Sequence, residues 1–181
     1  MSAHAHLVQT GFGTFYDGLV HLVITPADLL VVLGLGLLAG SCGTAARGVL
    51  LALPGAWLVG GLIAVSSPSA HSLPWATTIS LGMAGLLLAM NAKLPKPRIM
   101  SFAGAAGLLH GYVDGVTMTT EAPDRLSLMG VTTMVFILVT LLAAFVVSVQ
   151  AYWARIAVRV AGGWIVAVGL LSLGWLVRGN G

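Results

Sequence analysis

What the chain lacks most is charge. Only 7% of its 181 residues are acidic or strongly basic, where an ordinary soluble domain carries about 25%, and that shortage excludes a globule surrounded by water. Basic blocks are missing too. The eight Lys and Arg are spread over several loops, so the net charge of +3 describes no surface that would bind nucleic acid. A single cysteine, Cys42, rules out an internal disulfide, and its small neighbours in "GSCGTA" mark it as a packing residue at a helix end. No phosphate-cradling loop, zinc-protease helix, paired-cysteine motif or serine-hydrolase elbow is found, so the chain is not expected to be an enzyme. The opening residues "MSAHAHLVQTG" lack Lys, Arg and a continuous apolar core before an A-x-A-like site, and no cleavable secretory signal is expected.

What is present is apolar. Hydrophobic residues make up 58% of the chain, with a mean hydropathy of +1.01. Six stretches are long and clean enough to span a bilayer: 27–46, 49–66, 75–92, 99–118, 128–150 and 156–177. Lipid leaves the edges of an open sheet unsatisfied, and runs such as "VTTMVFILVTLLAAFVVSV" lack the alternation of a closed barrel. The expected fold is therefore all-α, a polytopic transmembrane helical bundle with six firm spans. Residues 7–24 form a further helix, whose polar content leaves open a seventh span, a half-inserted helix or an interfacial one. The whole of 1–181 reads as one integral membrane domain, with an amphipathic segment at 1–26 and six transmembrane helices over 27–178.

If all six stretches cross, Arg47, Lys93, Lys96, Arg98, Arg155 and Arg159 fall on one side, leaving Arg125 and Arg178 on the other. The positive-inside rule then places the richer side in the cytoplasm of a bacterial inner membrane. Glycine recurs at helical intervals in "GLGLLAG", "GAWLVGG" and "GAAGLLHG". Such spacing lets helix backbones approach closely in lipid, within the chain or between copies of it in a homo-oligomer. A weak echo links "DGLVHLVITP" at 17–26 with "DGVTMTTEAP" at 114–123, the kind of internal repeat found in transporters.

The polar residues then need a reason. Asp17 and His21 are four apart, which places both on one helix face. His110 and Asp114 repeat the spacing inside an apolar span, where an ionisable group costs roughly 2.5–3.5 kcal/mol. Three readings of the second pair stand side by side. The imidazole and carboxylate could ligate a divalent transition metal, with Asp17 and His21 completing the set from a neighbouring helix. They could relay protons. They could equally hydrogen-bond each other or the backbone and fix the bundle.

Other polar groups carry blander expectations. His4 and His6 form an H-x-H near a chain end, and His71 sits in a Ser/Pro-rich loop and reads as solvated. Asp28, Glu121 and Asp124 lie where they would draw cations to an outer mouth, but Asp28 and Asp124 also stand at helix starts, where a carboxylate meets free N–H groups; capping is their default. Trp57, Trp75, Trp164 and Trp175 lie near span ends or on packed faces and need no ligand to explain them.

At these residues a resemblance enters. "FYDGLVHLVITPADLLVVLGLGLLAG" and "GLLHGYVDG" are similar to segments of the HupE/UreJ family, and the six-span layout extends the likeness over most of the chain. The sequence departs from the family's better-known branch in having no His-Pro and in separating Asp17 from His21 by a helical turn. The resemblance implies a permease for a divalent cation, nickel or cobalt before zinc or copper, with Asp17, His21 and His110 as ligands and Asp114 joining by proximity. No resident cofactor is expected; the partners are the lipid bilayer, the metal cation, and a second copy or other membrane subunits. The rival expectation is a non-catalytic membrane subunit, or an assembly or metal-delivery factor, of a larger enzyme complex.

Overall fold

The computed structural model describes residues 10–43, 47–67, 71, 73–121, 125–149 and 151–179. Among the described residues seven helices follow one another: α1 (Thr14–Ile24), α2 (Pro26–Cys42), α3 (Val49–Val65), α4 (Pro74–Ala89), α5 (Lys96–Glu121), α6 (Arg125–Ser148) and α7 (Tyr152–Gly179). Among the described residues there is no strand. Proline sets two of the starts. Pro26 and Pro74 occupy the first helical position of α2 and α4, where the missing N–H would have had no intrahelical partner. Thr25, preceding Pro26, is extended and ends α1, so that α1 and α2 meet at a 77° bend. Inside α3, Pro54 is tolerated; the carbonyl it cannot serve lies within an otherwise continuous apolar helix.

Helix α2 is the hub. Its buried residues include the consecutive run Leu38, Ala39, Gly40 and the pairs Val31–Val32 and Leu35–Gly36, which cover most of the cylinder and leave one face, that of Leu30, Leu33 and Leu37, half-buried. It packs against α6 and α4 and also touches α1, α5 and α7. Around it the chain is assembled by glycine seams. The ideal Cβ of Gly111 would sit 2.0 Å from the Trp57 carbonyl oxygen, that of Gly107 2.5 Å from Leu53 O, and that of Gly115 2.6 Å from Gly61 O. Three glycines four apart on α5 thus lay that helix directly against the backbone of α3, running parallel to it. On the far side, a Cβ at Gly162 of α7 would come within 2.4 Å of Ala89 N and one at Gly85 of α4 within 2.8 Å of Val166 N, in an antiparallel seam. A Cβ at Gly18 of α1 would come within 2.0 Å of Ser127 O of α6. The expectation that small residues build the helix contacts holds for these positions; Gly55 and Gly104 of the same motifs face open space.

The six expected spans correspond to α2–α7, but six independent crossings do not follow. Arg125–Ser148 and Tyr152–Gly179 are long and apolar enough to cross alone, and the bent pair α1 and α2 makes a third crossing element if taken as one. With 17 and 16 residues, α3 and α4 reach about 24–26 Å at 1.5 Å per residue, short of a hydrocarbon core of about 30 Å. α5 is long enough but carries Lys96, Arg98, His110 and Asp114 along its length. The N-terminal helix, at 11 residues, is too short to cross by itself.

The helices alternate in direction, so the ends of α2 and α4 lie together. Cys42 Sγ donates to Ala92 O at 3.5 Å, Lys93 Nζ donates to Ser41 O, and Arg159 Nε donates to Ala89 O at 3.0 Å. Cys42 thus packs half-buried at a helix end, as its neighbours imply. His4, His6 and Asp124 lie outside the described residues, as does the side chain of Glu121. His71 is exposed.

Candidate functional site

Four ionisable side chains are withdrawn from the surroundings in the middle of the bundle: His21 is 1% exposed, Asp28 5%, His110 0% and Asp114 2%. Their positions follow from the helices that carry them. Ile99, Ala103, Ala106, His110, Asp114 and Met118 are buried at three- and four-residue steps, one face of α5. That face lies beside the glycine seam, because Gly111 and Gly115 directly follow His110 and Asp114. His21 comes from the last turn of α1, and Asp28 from the first turn of α2.

His110 is held at both ring nitrogens. Nδ1 stands 2.6 Å from Asp28 Oδ1 and Nε2 2.9 Å from Ser80 Oγ, with all three side chains buried. A carboxylate can only accept, so a neutral His110 carries its proton on Nδ1, donates to Asp28, and accepts the Ser80 hydroxyl at Nε2. Asp114 accepts the indole N–H of Trp57 at Oδ2, 2.8 Å away, while its Oδ1 lies 3.5 Å from His21 Nε2. The Trp57 ring is tilted 31° to that of His110, with centroids 5.6 Å apart. The result is two short polar chains, His21–Asp114–Trp57 and Asp28–His110–Ser80, brought side by side where the Trp57 ring meets that of His110.

This differs in its pairings from what spacing suggests. His110 and Asp114 share a face but take separate partners from α2 and α1. Asp17 is in neither polar chain. It lies partly exposed one turn before His21 and accepts hydrogen bonds from the backbone N–H (2.7 Å) and hydroxyl (2.6 Å) of Thr10. The default of capping fails for Asp28: the N-cap Thr25 makes no side-chain cap bond, and the Asp28 carboxylate turns inward to His110. Trp57 lies on a packed face, as expected, and in addition donates its indole N–H to Asp114. Ser80 and Trp57 carry no periodic signal in the sequence; the one available hint for Trp57 was its place within the glycine-rich "GAWLVGG".

Chemically, the cluster offers two imidazoles and two carboxylates that satisfy one another in place of water. Among the described residues, no three His, Cys, Asp or Glu side chains converge into a ready-made metal centre. The order Ser80, His110, Asp28 has the connectivity of a hydrolase triad. However, Ser80 lies within α4, where neighbouring backbone N–H groups are bonded inside the helix and none is left to stabilise an oxyanion.

The family described as HupE / UreJ protein matches residues 1–172. The chain belongs to this family. Protein HupE of Rhizobium leguminosarum bv. viciae is 28% identical over 122 residues, covering 65% of this chain and 62% of that protein. The matched stretch therefore spans less than two thirds of that relative's length. No solved structure matches significantly. The HupE/UreJ match extends from the chain's first residue through most of α7 and so includes every member of the buried cluster. It agrees with a membrane-associated, all-helical protein.

Proposed function

We propose that this HupE/UreJ protein is a permease for a divalent transition-metal cation, nickel or cobalt, and that His21, Asp28, His110 and Asp114 act as its transient ligands. The single observation carrying the reading is the burial of two imidazoles and two carboxylates, borne by three helices, inside the bundle; no three of them form a ready-made centre, so a cation would be ligated by their rearrangement. Imidazole nitrogen and carboxylate oxygen are the donors that borderline divalent ions take. A hydrated ion cannot cross hydrocarbon, so such donors have to replace its water along a protein-enclosed path. In the cation's absence they bond to one another, which offsets the cost of burying them. The cation is thus exchanged against internal hydrogen bonds, and binding stays weak enough for release. Asp17, partly exposed one turn from His21, belongs in this reading to the outer approach. The Lys/Arg-rich end of the bundle faces the cytoplasm by the positive-inside rule.

The rival is a non-transporting membrane subunit or metal-delivery factor of a larger complex, in which the same cluster only fixes the bundle. Accumulation of radioactive nickel or cobalt in cells expressing the wild type, His21→Ala, His110→Ala and Asp114→Asn decides between them. The permease reading expects each variant to lose at least about tenfold in uptake, the consequence of losing one ligand interaction of about 1.4 kcal/mol. Equal accumulation at equal membrane levels overturns it and favours the subunit.

A further inference from the structure

At the end of α2 away from Asp28, between α2, α3 and α6, lies a cavity of about 310 Å³. Its walls are Leu50, Val147 and the small residues Gly40 and Ala143, and Arg47 stands exposed at its rim. One polar atom interrupts the apolar wall. Thr140 Oγ1 is buried and finds no hydrogen-bond partner among the described residues. Its neighbours on α6 behave otherwise: Thr132 and Thr133 donate to the carbonyls of Leu128 (2.9 Å) and Met129 (2.7 Å) one turn back. A threonine in a helix has that bond close at hand; here the hydroxyl oxygen is shielded from the cavity that Thr140 lines, and a turn of the side chain about χ1 is what brings it to an acceptor lying there.

The cavity does not suit the cation path. Its walls are apolar, its one charge is positive, and Asp28 lies in the first turn of α2 whereas Gly40 lies in the last. What fits is an amphiphile with an apolar chain, a carbonyl acceptor and a negative head. We propose that the cavity holds one acyl chain of an anionic phospholipid, with the phosphate against Arg47 and an ester carbonyl available to Thr140. The guanidinium matches a phosphate in two-point geometry. Basic sites between membrane helices on the Lys/Arg-rich side are where anionic headgroups settle. The volume is at the lower end of the roughly 300–1,000 Å³ typical of ligand sites and accommodates a single chain rather than a whole lipid. The site does not depend on the metal path and stands or falls apart from it.

The test uses the full chain purified in a non-ionic detergent. Dioleoyl phosphatidylglycerol or dioleoyl phosphatidylcholine is added, and the lipid retained per protein is read by native mass spectrometry. The wild type is expected to retain phosphatidylglycerol at least tenfold better than phosphatidylcholine. Arg47→Gln is expected to abolish that preference, and Ala144→Trp, which fills the cavity from its exposed side, to lower retention of both lipids at least tenfold. Thr140→Val keeps the shape and is expected to lose retention several-fold, and it serves if the tryptophan variant is not recovered. Equal retention of both lipids by the wild type, or phosphatidylglycerol retention unchanged across Arg47→Gln and Thr140→Val, overturns the proposal.

Discussion

The bundle contains two glycine seams that look alike from the backbone and differ in what they carry. Along α3 and α5, Gly107, Gly111 and Gly115 touch the opposing main chain; along α4 and α7, Gly85 and Gly162 do the same. In lipid, apolar burial gives no drive between helices, and close backbone approach is the common means of association. The α4/α7 seam encloses Leu81, Ala84, Leu88 and Ile165, and the polar contact across it, Arg159 Nε to the Ala89 carbonyl, lies at its exposed end and involves no buried ionisable group. In the α3/α5 seam, each of two glycines follows an ionisable residue, so the same approach that packs the helices presses His110 toward the Trp57 ring and Asp114 onto its N–H. One packing device thus serves assembly in one place and positions chemistry in another.

The contrast can be broken by substitution. The largest effect is expected from Asp28→Ala, which leaves the His110 Nδ1–H buried without its acceptor; a loss of up to about 3 kcal/mol follows from the unsatisfied donor. Unfolding of the purified protein in detergent measures it, and a loss under 1 kcal/mol would mean the imidazole finds another acceptor.

Next come the seams themselves. Gly111→Ala and Gly162→Ala both force a methyl against backbone atoms and are each expected to cost about 1–3 kcal/mol. Gly104→Ala and Gly163→Ala, where nothing lies within 4 Å of the new methyl, are expected to be neutral or to stabilise by up to about 1 kcal/mol. Among these four variants, Gly111→Ala alone is expected to lower metal accumulation beyond what its membrane level explains. If Gly162→Ala lowers it equally, the two seams are not functionally distinct.

Trp57→Phe keeps most of the ring and removes the Asp114 donor. It is expected to cost about 1 kcal/mol and to reduce uptake several-fold. Smallest of all is Asp17→Asn, for which unchanged melting is expected, together with uptake closer to wild type than that of any cluster variant.

Much of this was legible in the chain. The apolar runs placed α2–α7 to within a few residues; the structure adds Pro26 and Pro74 to the starts of two of them, where a helix has no use for the missing N–H. His110 and Asp114 stood out because two ionisable residues one turn apart in an apolar run must have partners. Their partners were not legible. His110 and Asp28 are 82 positions apart, and a carboxylate in the first turn of a helix is ordinarily accounted for by its own backbone. Asp17 and His21 suggested a pair because they are four apart, but Thr10 captures Asp17 before it reaches the interior. Helix spacing reports which residues share a face, not which face turns inward; that is decided by where Gly18 lets α1 touch α6.

The bend at Thr25 gives His21 leverage. The residue rides about 6 Å from the hinge, at 1.5 Å per residue, so a swing of about 10° in α1 displaces the imidazole by roughly 1 Å. That displacement separates a 3.5 Å approach to Asp114 from a full hydrogen bond. A motion too slight to disturb the rest of the fold therefore suffices to fasten or unfasten one end of the His21–Asp114–Trp57 chain.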